Sequence, residues 1–194
     1  DAALKADARW TWPVERQALL GEIGGARVGL VGFGAVPRAL APVLAAMGAE
    51  VVWTGRAPRN DVPYPFLDKR TLLSTADVVS LHVPETPETA GWLDAAAIAA
   101  MKPGAILVNT ARGGLVDEEA LVEALRSGHL AAAGLDVFAV EPVSADNPLL
   151  ALDNVVLAPH VAWFTRETLE RSLAVAVENC RRLSAGEPLL HRVA

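Results

Sequence analysis

Short apolar segments alternate along the chain with segments whose apolar residues recur at helical spacing. The short segments are rich in β-branched residues and apolar at consecutive positions, which is typical of strands buried on both faces. We predict strands at residues 27–31, 50–54, 77–83, 105–109, 132–137 and 155–157. Because helical segments separate most of these strands, the pattern predicts a parallel sheet with helices on both faces, a three-layer, doubly wound α/β domain.

Three of the helical segments carry further signals. An apolar stripe over residues 36–47 predicts a helix, which Pro42 should kink because proline removes a backbone hydrogen bond. A second stripe, over 121–125, follows an acidic first turn at 117–119, where negative charge favours a helix start. Residues 165–184 predict one longer helix, with Thr165 as its N-cap and a glycine and a proline shortly after its end.

Composition and charge narrow the class of protein. Hydrophobic residues make up 52% of the 194 residues and charged residues 21%, which is typical of a folded globular domain. The net charge of −6 gives no global reason to expect nucleic acid or an anionic membrane surface as a partner. The single cysteine, Cys180, cannot form an internal disulfide, which favours a reducing, cytoplasmic setting. The sequence shows no apolar run of membrane-spanning length and no signal-peptide core.

A glycine-rich turn follows the first predicted strand. Gly32 would permit a tight turn, and Gly34 would let the backbone approach a pyrophosphate. The N–H groups of Ala35 and Val36, at the start of the next helix, would then bind the anion. Pro37 stands in place of the usual third glycine; proline suits a helix start, but its ring fills space that glycine leaves. This imperfect motif, between a strand and a helix, predicts the dinucleotide site of a Rossmann fold.

The end of the second predicted strand carries no carboxylate for the ribose hydroxyls of NAD. It reads Thr54-Gly55-Arg56, with Arg59 shortly after it. A guanidinium suits a 2′-phosphate through charge-assisted bidentate bonds, so one hypothesis is that NADP(H) is accepted or preferred, with Arg56 as its main contact. The alternative is that Arg56 is a solvated loop residue that stacks on adenine without selecting the cofactor. The sequence leaves both interpretations open.

Several motifs, in order, resemble those of the D-2-hydroxyacid dehydrogenases. Residues 108–117, VNTARGGLVD, closely resemble the family's second signature. Residues 134–138, then Glu141-Pro142 and Pro159-His160, are similar to the family's segments beyond that signature, and residues 81–89 are similar to the loop after its third strand. The resemblance runs from about Gly25 to the end of the chain. It implies a nicotinamide-dinucleotide-binding domain of an enzyme that acts on small D-2-hydroxy or 2-keto acids.

The resemblance assigns the chemistry to three residues. Reduction of a 2-keto acid requires a cation for the carboxylate, a proton for the carbonyl oxygen and a hydride from the nicotinamide. Arg112 would bind the carboxylate and carbonyl oxygens, and His160 would donate the proton in reduction and accept it in oxidation. Glu141 would orient the imidazole and stabilise its protonated form. A structural role in a loop is the competing interpretation for each residue alone, but all three in family order favour catalysis.

The same resemblance implies the rest of the cofactor site. Asp136 would hold the nicotinamide carboxamide, and Val83 and Pro84 would lie against the adenosine half. The predicted cofactor residues, including those of the glycine turn, are Gly32, Gly34, Ala35, Val36, Thr54, Arg56, Val83, Pro84, Thr110, Ala111, Asp136 and Ala162. His82 and His129 fit no catalytic role and are interpreted as structural. We find no metal-ligand spacing and no nucleophile–base arrangement in the sequence.

Two bulky residues, Trp163 and Phe164, follow the proposed proton donor. One hypothesis is that they shape the substrate pocket or cover the nicotinamide, which resembles the hydroxypyruvate and glycerate branch of the family. The alternative is that one of them packs at a domain or subunit interface.

The resemblance also implies a division of the chain. We expect residues 1–24 to form a connecting helix or linker, 25–164 the dinucleotide-binding domain, and 165–194 a C-terminal helix and tail that pack on the domain. Family members place a substrate-binding domain ahead of this segment. Because only residues 1–24 stand there and the chain starts at Asp1, we expect a processed or truncated product. The family commonly dimerises through this domain, so we expect a homodimer.

Other classes of function stay open at this point. The fold would also suit a nucleotide-binding regulatory or interaction module, like the corepressors that resemble these dehydrogenases and keep the catalytic residues. An inactive NAD(P)-binding fragment is a further alternative. A methyltransferase would explain the glycine turn but not the segments around Arg112, Glu141 and His160.

Overall fold

The computed structural model describes residues 21–192, and within them six strands alternate with helices. The strands are β1 (Arg27–Val31), β2 (Glu50–Thr54), β3 (Val78–Leu81), β4 (Ala105–Asn109), β5 (Leu130–Leu135) and β6 (Val155–Leu157). The α-helices are α1 (Ala35–Ala46), α2 (Lys69–Thr75), α3 (Ala95–Ala99), α4 (Glu118–Arg126) and α5 (Arg166–Ala185). Most of the predicted connecting segment, residues 1–20, lies outside the described residues.

All six strands pair in parallel, in the order β2-β1-β3-β4-β5-β6, which confirms the predicted sheet. The order reverses at β1, because β2 and β3 lie on its two sides. The register aligns the last residue of every strand in one row: Thr54, Val31, Leu81, Asn109, Leu135 and Leu157. The loops that follow the strands therefore meet along one edge of the sheet, where open α/β sheets bind ligands.

Two hydrophobic clusters cover the two faces of the sheet. The larger one contains the buried residues of α2, α3 and α4, together with Val31, Leu81 and Leu107 of the strands. The smaller one joins Leu30 and Trp53 to Ala41 of α1. On the face of the sheet that carries the smaller cluster, the region around β6 is uncovered in the described part of the chain, and Val156 there is 75% exposed. The predicted layers of helices are present, but α1 covers only the part of its face near β1 and β2.

Two strands have boundaries that differ from the prediction. β3 runs over 78–81 rather than 77–83, and β5 runs over 130–135 rather than 132–137. The apolar pattern continues past both strands because Val83 and Val137 are packed in loops, where burial rather than pairing keeps them apolar. Helix α1 continues through Pro42 as one helix, and the kink expected there stays a prediction.

Helix α5 begins and ends as predicted. The Thr165 hydroxyl accepts a hydrogen bond from the Thr168 N–H at 3.1 Å, and Gly186 closes the helix at φ +68°. None of its residues is buried within the described chain, and Leu173 and Val177 on its surface are exposed. Residues 21–192 contain no helix that is both long enough and apolar enough to cross a membrane.

Candidate active site

A cleft of about 390 Å³ lies at the row of strand ends, beside the point where the strand order reverses. It is lined by residues 34–37 at the start of α1, 81–85 after β3 and 110–112 after β4. The loops that reach it follow three adjacent strands, β1, β3 and β4. Of the predicted cofactor residues, the cleft lining contains Gly34, Ala35, Val36, Val83, Pro84, Thr110 and Ala111.

The glycine turn fits a pyrophosphate. Gly32 adopts φ +90°, and a Cβ there would lie 2.8 Å from a Val83 methyl carbon and 3.0 Å from the His82 carbonyl oxygen. A Cβ at Gly34 would meet nothing within 4 Å, so this backbone is open to the cleft. Helix α1 begins at Ala35, and the N–H groups of a first helical turn have no partner within the helix. These features match the needs of an anion at a helix start.

Thr54 supports this turn rather than lining the cleft. Its side chain is buried, and its carbonyl oxygen accepts the Gly32 N–H at 2.8 Å. Arg56, two residues further on, is exposed. The pKa of Glu88 is lowered chiefly by a hydrogen bond that the Thr86 hydroxyl donates to its carboxylate. The positive charge of Arg56 lowers the same pKa more weakly. Arg56 therefore lies within electrostatic range of the loop after β3.

Arg112 follows β4 in a loop that a buried asparagine holds in place. The Asn109 side chain accepts the Ala111 N–H at 3.0 Å and donates to the Arg112 carbonyl oxygen at 2.9 Å. The Arg112 side chain itself is exposed, and its Nη1 donates to the Ala111 carbonyl oxygen at 2.6 Å. The guanidinium thus stands on a fixed backbone at the rim of the cleft.

Gly113 brings this loop against the loop after β5. A Cβ on Gly113 would lie 1.9 Å from the Phe138 carbonyl oxygen, so a larger residue could not be placed there without moving one backbone. Phe138 is also the residue whose N–H donates to Glu141 Oε1, at 3.0 Å. Because of this close approach, the loops that carry Arg112 and Glu141 lie side by side.

His160 and Glu141 form the predicted pair. His160 Nδ1 lies 2.8 Å from Glu141 Oε2, and both side chains are partly exposed. The pKa of Glu141 is lowered from its ordinary value by the hydrogen bond with His160, then by the Phe138 N–H and the charges of His160 and Arg112. These neighbours favour the ionised carboxylate. The structure places Glu141 in contact with His160 and within electrostatic range of Arg112.

Asp136 holds the loop that carries His160. It is 4% exposed, and its two carboxylate oxygens accept the N–H groups of Val161 at 2.8 Å and Ala162 at 2.9 Å. His160 itself adopts φ +56°, a left-handed conformation that is uncommon for a residue with a side chain. These backbone contacts are a role that the resemblance did not indicate; the predicted contacts of Asp136 and Ala162 with the nicotinamide stay predictions.

Trp163 makes a further contact within the same loop. Its Nε1 donates to the His160 carbonyl oxygen at 3.1 Å, and its ring packs edge-on against Phe164 at a centroid distance of 5.2 Å. Trp163 is 53% exposed. Substrate shaping and interface packing by this pair both stay predictions. The two histidines interpreted as structural do have local partners: His82 pairs with the Ser80 hydroxyl, and His129 with the Ile98 carbonyl oxygen.

Sequence reasoning missed two residues that build the site, Asn109 and Gly113, and an ion pair beside the glycine turn, that of Arg38 with Asp61. Both Asn109 and Gly113 could have been noticed in the sequence, because Asn109 is a polar residue at the end of an apolar strand and Gly113 lies in a Gly-Gly pair. Arg38 and Asp61 carried no such signal, because their ion pair joins segments 23 residues apart. Within the described residues, no group of three or more His, Cys, Asp or Glu side chains is placed to hold a metal ion.

Comparisons with known proteins identify the family of this chain. The sequence model of the D-isomer specific 2-hydroxyacid dehydrogenases, NAD binding domain, matches residues 2–162. The chain therefore belongs to this family, and the matched part is its NAD-binding domain.

Individual relatives extend the likeness to nearly the whole chain. The (S)-sulfolactate dehydrogenase of Chromohalobacter salexigens is 45% identical over 177 residues, which cover 88% of this chain and 57% of that protein. The D-3-phosphoglycerate dehydrogenase of Mycobacterium leprae is 44% identical over 192 residues, 96% of this chain and 35% of that protein. The crystal structure of the TT0316 protein from Thermus thermophilus superposes with a TM-score of 0.90 at 47% identity, covering all of this chain and 61% of TT0316. This chain thus spans between about a third and three fifths of the relatives' lengths.

Proposed function

We propose that this chain is the nucleotide-binding part of an NAD(P)-dependent D-2-hydroxyacid dehydrogenase, which interconverts a small 2-keto acid and its D-2-hydroxy acid. The observation that carries the proposal is the contact of His160 with Glu141, with Arg112 acting on the same carboxylate, beside a cleft built for a dinucleotide. The family relationship supports it, and two of the relatives are named for oxidising small 2-hydroxy acids, sulfolactate and phosphoglycerate.

Arg112, Glu141 and His160 each have a different role in the proposed reaction. The planar guanidinium of Arg112 is suited to bind the substrate carboxylate through paired hydrogen bonds and to direct the keto group toward His160. Glu141 accepts from Nδ1 of His160, which fixes the ring and leaves Nε2 free to donate a proton to the carbonyl oxygen. In the reverse direction the same nitrogen accepts the hydroxyl proton. The bound nicotinamide supplies the hydride in reduction and accepts it in oxidation.

The cofactor would be held by the glycine turn. The N–H groups of Ala35 and Val36 would bind the pyrophosphate, Val83 and Pro84 would contact the adenosine half, and Thr110 and Ala111 the nicotinamide half. NADP(H) would be accepted through Arg56, since its guanidinium follows β2, where the adenosine ribose lies in this fold. An Arg56→Gln variant should therefore bind NADPH more weakly relative to NADH than the unaltered chain does. An unchanged ratio of the two affinities would contradict this role of Arg56.

The proposal extends to the assembly and its setting. Two exposed apolar residues, Val43 on α1 and Met47 directly after it, support a homodimer that covers them. The free, exposed Cys180 supports a reducing, cytoplasmic setting. Light scattering during size-exclusion chromatography tests the first point, and a fluorescent fusion followed by fractionation tests the second.

Turnover is the direct test of the reaction. The protein encoded by the complete gene should oxidise NADH or NADPH in the presence of glyoxylate or hydroxypyruvate, and His160→Asn should remove this activity without weakening cofactor binding. Arg112→Gln should mainly raise the KM for the keto acid. A protein that binds the cofactor and turns over none of a panel of 2-keto acids would favour the regulatory module instead.

A further inference from the structure

Arg38, Arg59 and Asp61 form a charged cluster beside the glycine turn. Asp61 accepts from Arg59 through both carboxylate oxygens, with Nε 3.0 Å from Oδ1 and Nη2 2.7 Å from Oδ2. Arg38 donates to the same Oδ2 and, at 3.4 Å, to the Asp61 carbonyl oxygen. One carboxylate therefore bridges two guanidiniums, one of them in the paired geometry that guanidinium also forms with phosphate.

The cluster lies where an adenosine ribose would be expected. Arg59 Nη1 lies 3.4 Å from the carbonyl oxygen of Phe33, the residue between Gly32 and Gly34. The Arg38 guanidinium lies over the Phe33 ring, 5.8 Å from its centroid. In doubly wound folds the ribose lies between the glycine turn and the end of the second strand. Both arginines thus contact Phe33 of the glycine turn, next to the position expected for the ribose.

A packed aromatic group fixes the loop that carries Arg59 and Asp61. Phe33 packs on Trp53 at a centroid distance of 5.5 Å and on Tyr64 at 5.8 Å. The Trp53 indole donates to the Tyr64 carbonyl oxygen at 3.1 Å, and Val62, next to Asp61, is buried. The charged side chains themselves stay accessible: Arg38, Arg59 and Asp61 are 39%, 47% and 58% exposed. A ligand could therefore reach them without unfolding the loop.

We propose that Asp61 sets the choice between NADH and NADPH by occupying the guanidinium groups that a 2′-phosphate would otherwise bind. A 2′-phosphate on the cofactor must displace the carboxylate from Arg38 and Arg59 or lie beside it against like-charge repulsion. The ribose hydroxyl of NADH meets neither obstacle. Asp61 thus weakens the binding of NADPH without excluding it, so that both cofactors are accepted. The position of Arg56 alone does not predict this weakening. The inference rests on the proposed dinucleotide site.

The test is a comparison of cofactor affinities in the 194-residue chain. Asp61→Asn removes the charge and keeps the shape, and Asp153→Asn makes the same charge change at an exposed turn before β6, at the opposite edge of the sheet. Titration calorimetry gives the Kd of NADH and of NADPH for each protein. We expect the ratio of the NADH Kd to the NADPH Kd to rise about tenfold in Asp61→Asn, the order expected for one partly screened charge. Asp153→Asn should leave the ratio unchanged.

Arg59→Gln provides the second arm, since it removes a guanidinium rather than the carboxylate. It should lower the same ratio, with NADH binding retained. A ratio that Asp61→Asn leaves unchanged or lowers, while NADH still binds, would overturn the role of Asp61 and leave the proposed function in place. Binding of neither nucleotide by the unaltered chain would overturn the proposed function, and this inference with it.

Discussion

The Nδ1 atom of His160 lies 2.8 Å from Oε2 of Glu141, although 19 residues separate the two along the chain. The contact depends on loops that are themselves fixed: Asp136 holds the backbone after His160, and the Phe138 N–H holds the second oxygen of Glu141. The geometry leaves Nε2 as the ring nitrogen available for a proton transfer, because Nδ1 is engaged.

Replacement of Glu141 by glutamine should slow the reaction without affecting cofactor binding. An amide can donate as well as accept, so it no longer fixes the ring with Nε2 free for the proton transfer, and we expect kcat for keto-acid reduction to fall about 100-fold, the lower range for loss of acid–base assistance. Stopped-flow kinetics of the complete protein measures this. Glu170→Gln, on the exposed face of α5, is the matched control, and an equal kcat for the two variants would argue against a role for Glu141.

The same pair should contribute to stability only above acidic pH. The folded-state pKa of Glu141 lies below its ordinary value of 4.5, chiefly because of the bond with His160. Its contribution is therefore complete above that ordinary value and is lost as pH falls through the lowered one. Because the pair is partly exposed, the contribution should stay below about 1 kcal/mol. The difference in Tm between the unaltered chain and Glu141→Gln should shrink from pH 7 to pH 3; a difference that grows would contradict the assignment.

A methyl group at Gly113 should destabilise the fold and separate the two catalytic loops. Its Cβ would lie 1.9 Å from the Phe138 carbonyl oxygen, and such overpacking typically costs about 1–3 kcal/mol. Gly134→Ala is the control, because a Cβ there would meet nothing within 4 Å. Urea unfolding of both variants gives the comparison. Equal stabilities would mean that the two loops do not approach each other as closely as described.

Much of the fold was predictable because burial leaves a regular signal. Strands with apolar residues at consecutive positions predicted the parallel sheet, and the Thr165 cap predicted the start of α5. The predicted ends of β3 and β5 were wrong because Val83 and Val137 are apolar for packing in loops. Contacts between distant side chains leave no such pattern. The bridge of Asp61 to Arg38 and the bonds of Asp136 to Val161 and Ala162 required the folded chain.

Gly34→Ala should separate cofactor binding from folding. In the free protein the added methyl group would meet nothing within 4 Å, so the free energy of unfolding should change by less than about 1 kcal/mol. In the complex the methyl group would stand where the pyrophosphate approaches the backbone, so the affinity for both nucleotides should fall at least about tenfold. A variant that binds NADH as tightly as the unaltered chain would place the cofactor elsewhere.

Binding of a pyridine nucleotide across the strand ends, next to His160, Glu141 and Arg112, underlies the proposed roles of all these residues. Calorimetric titration of the 194-residue chain with NADH and NADPH measures this binding. Saturable binding of at least one nucleotide, with one site per chain, is the predicted result. The absence of saturable binding for both nucleotides, in a chain shown by circular dichroism to be folded, would contradict it.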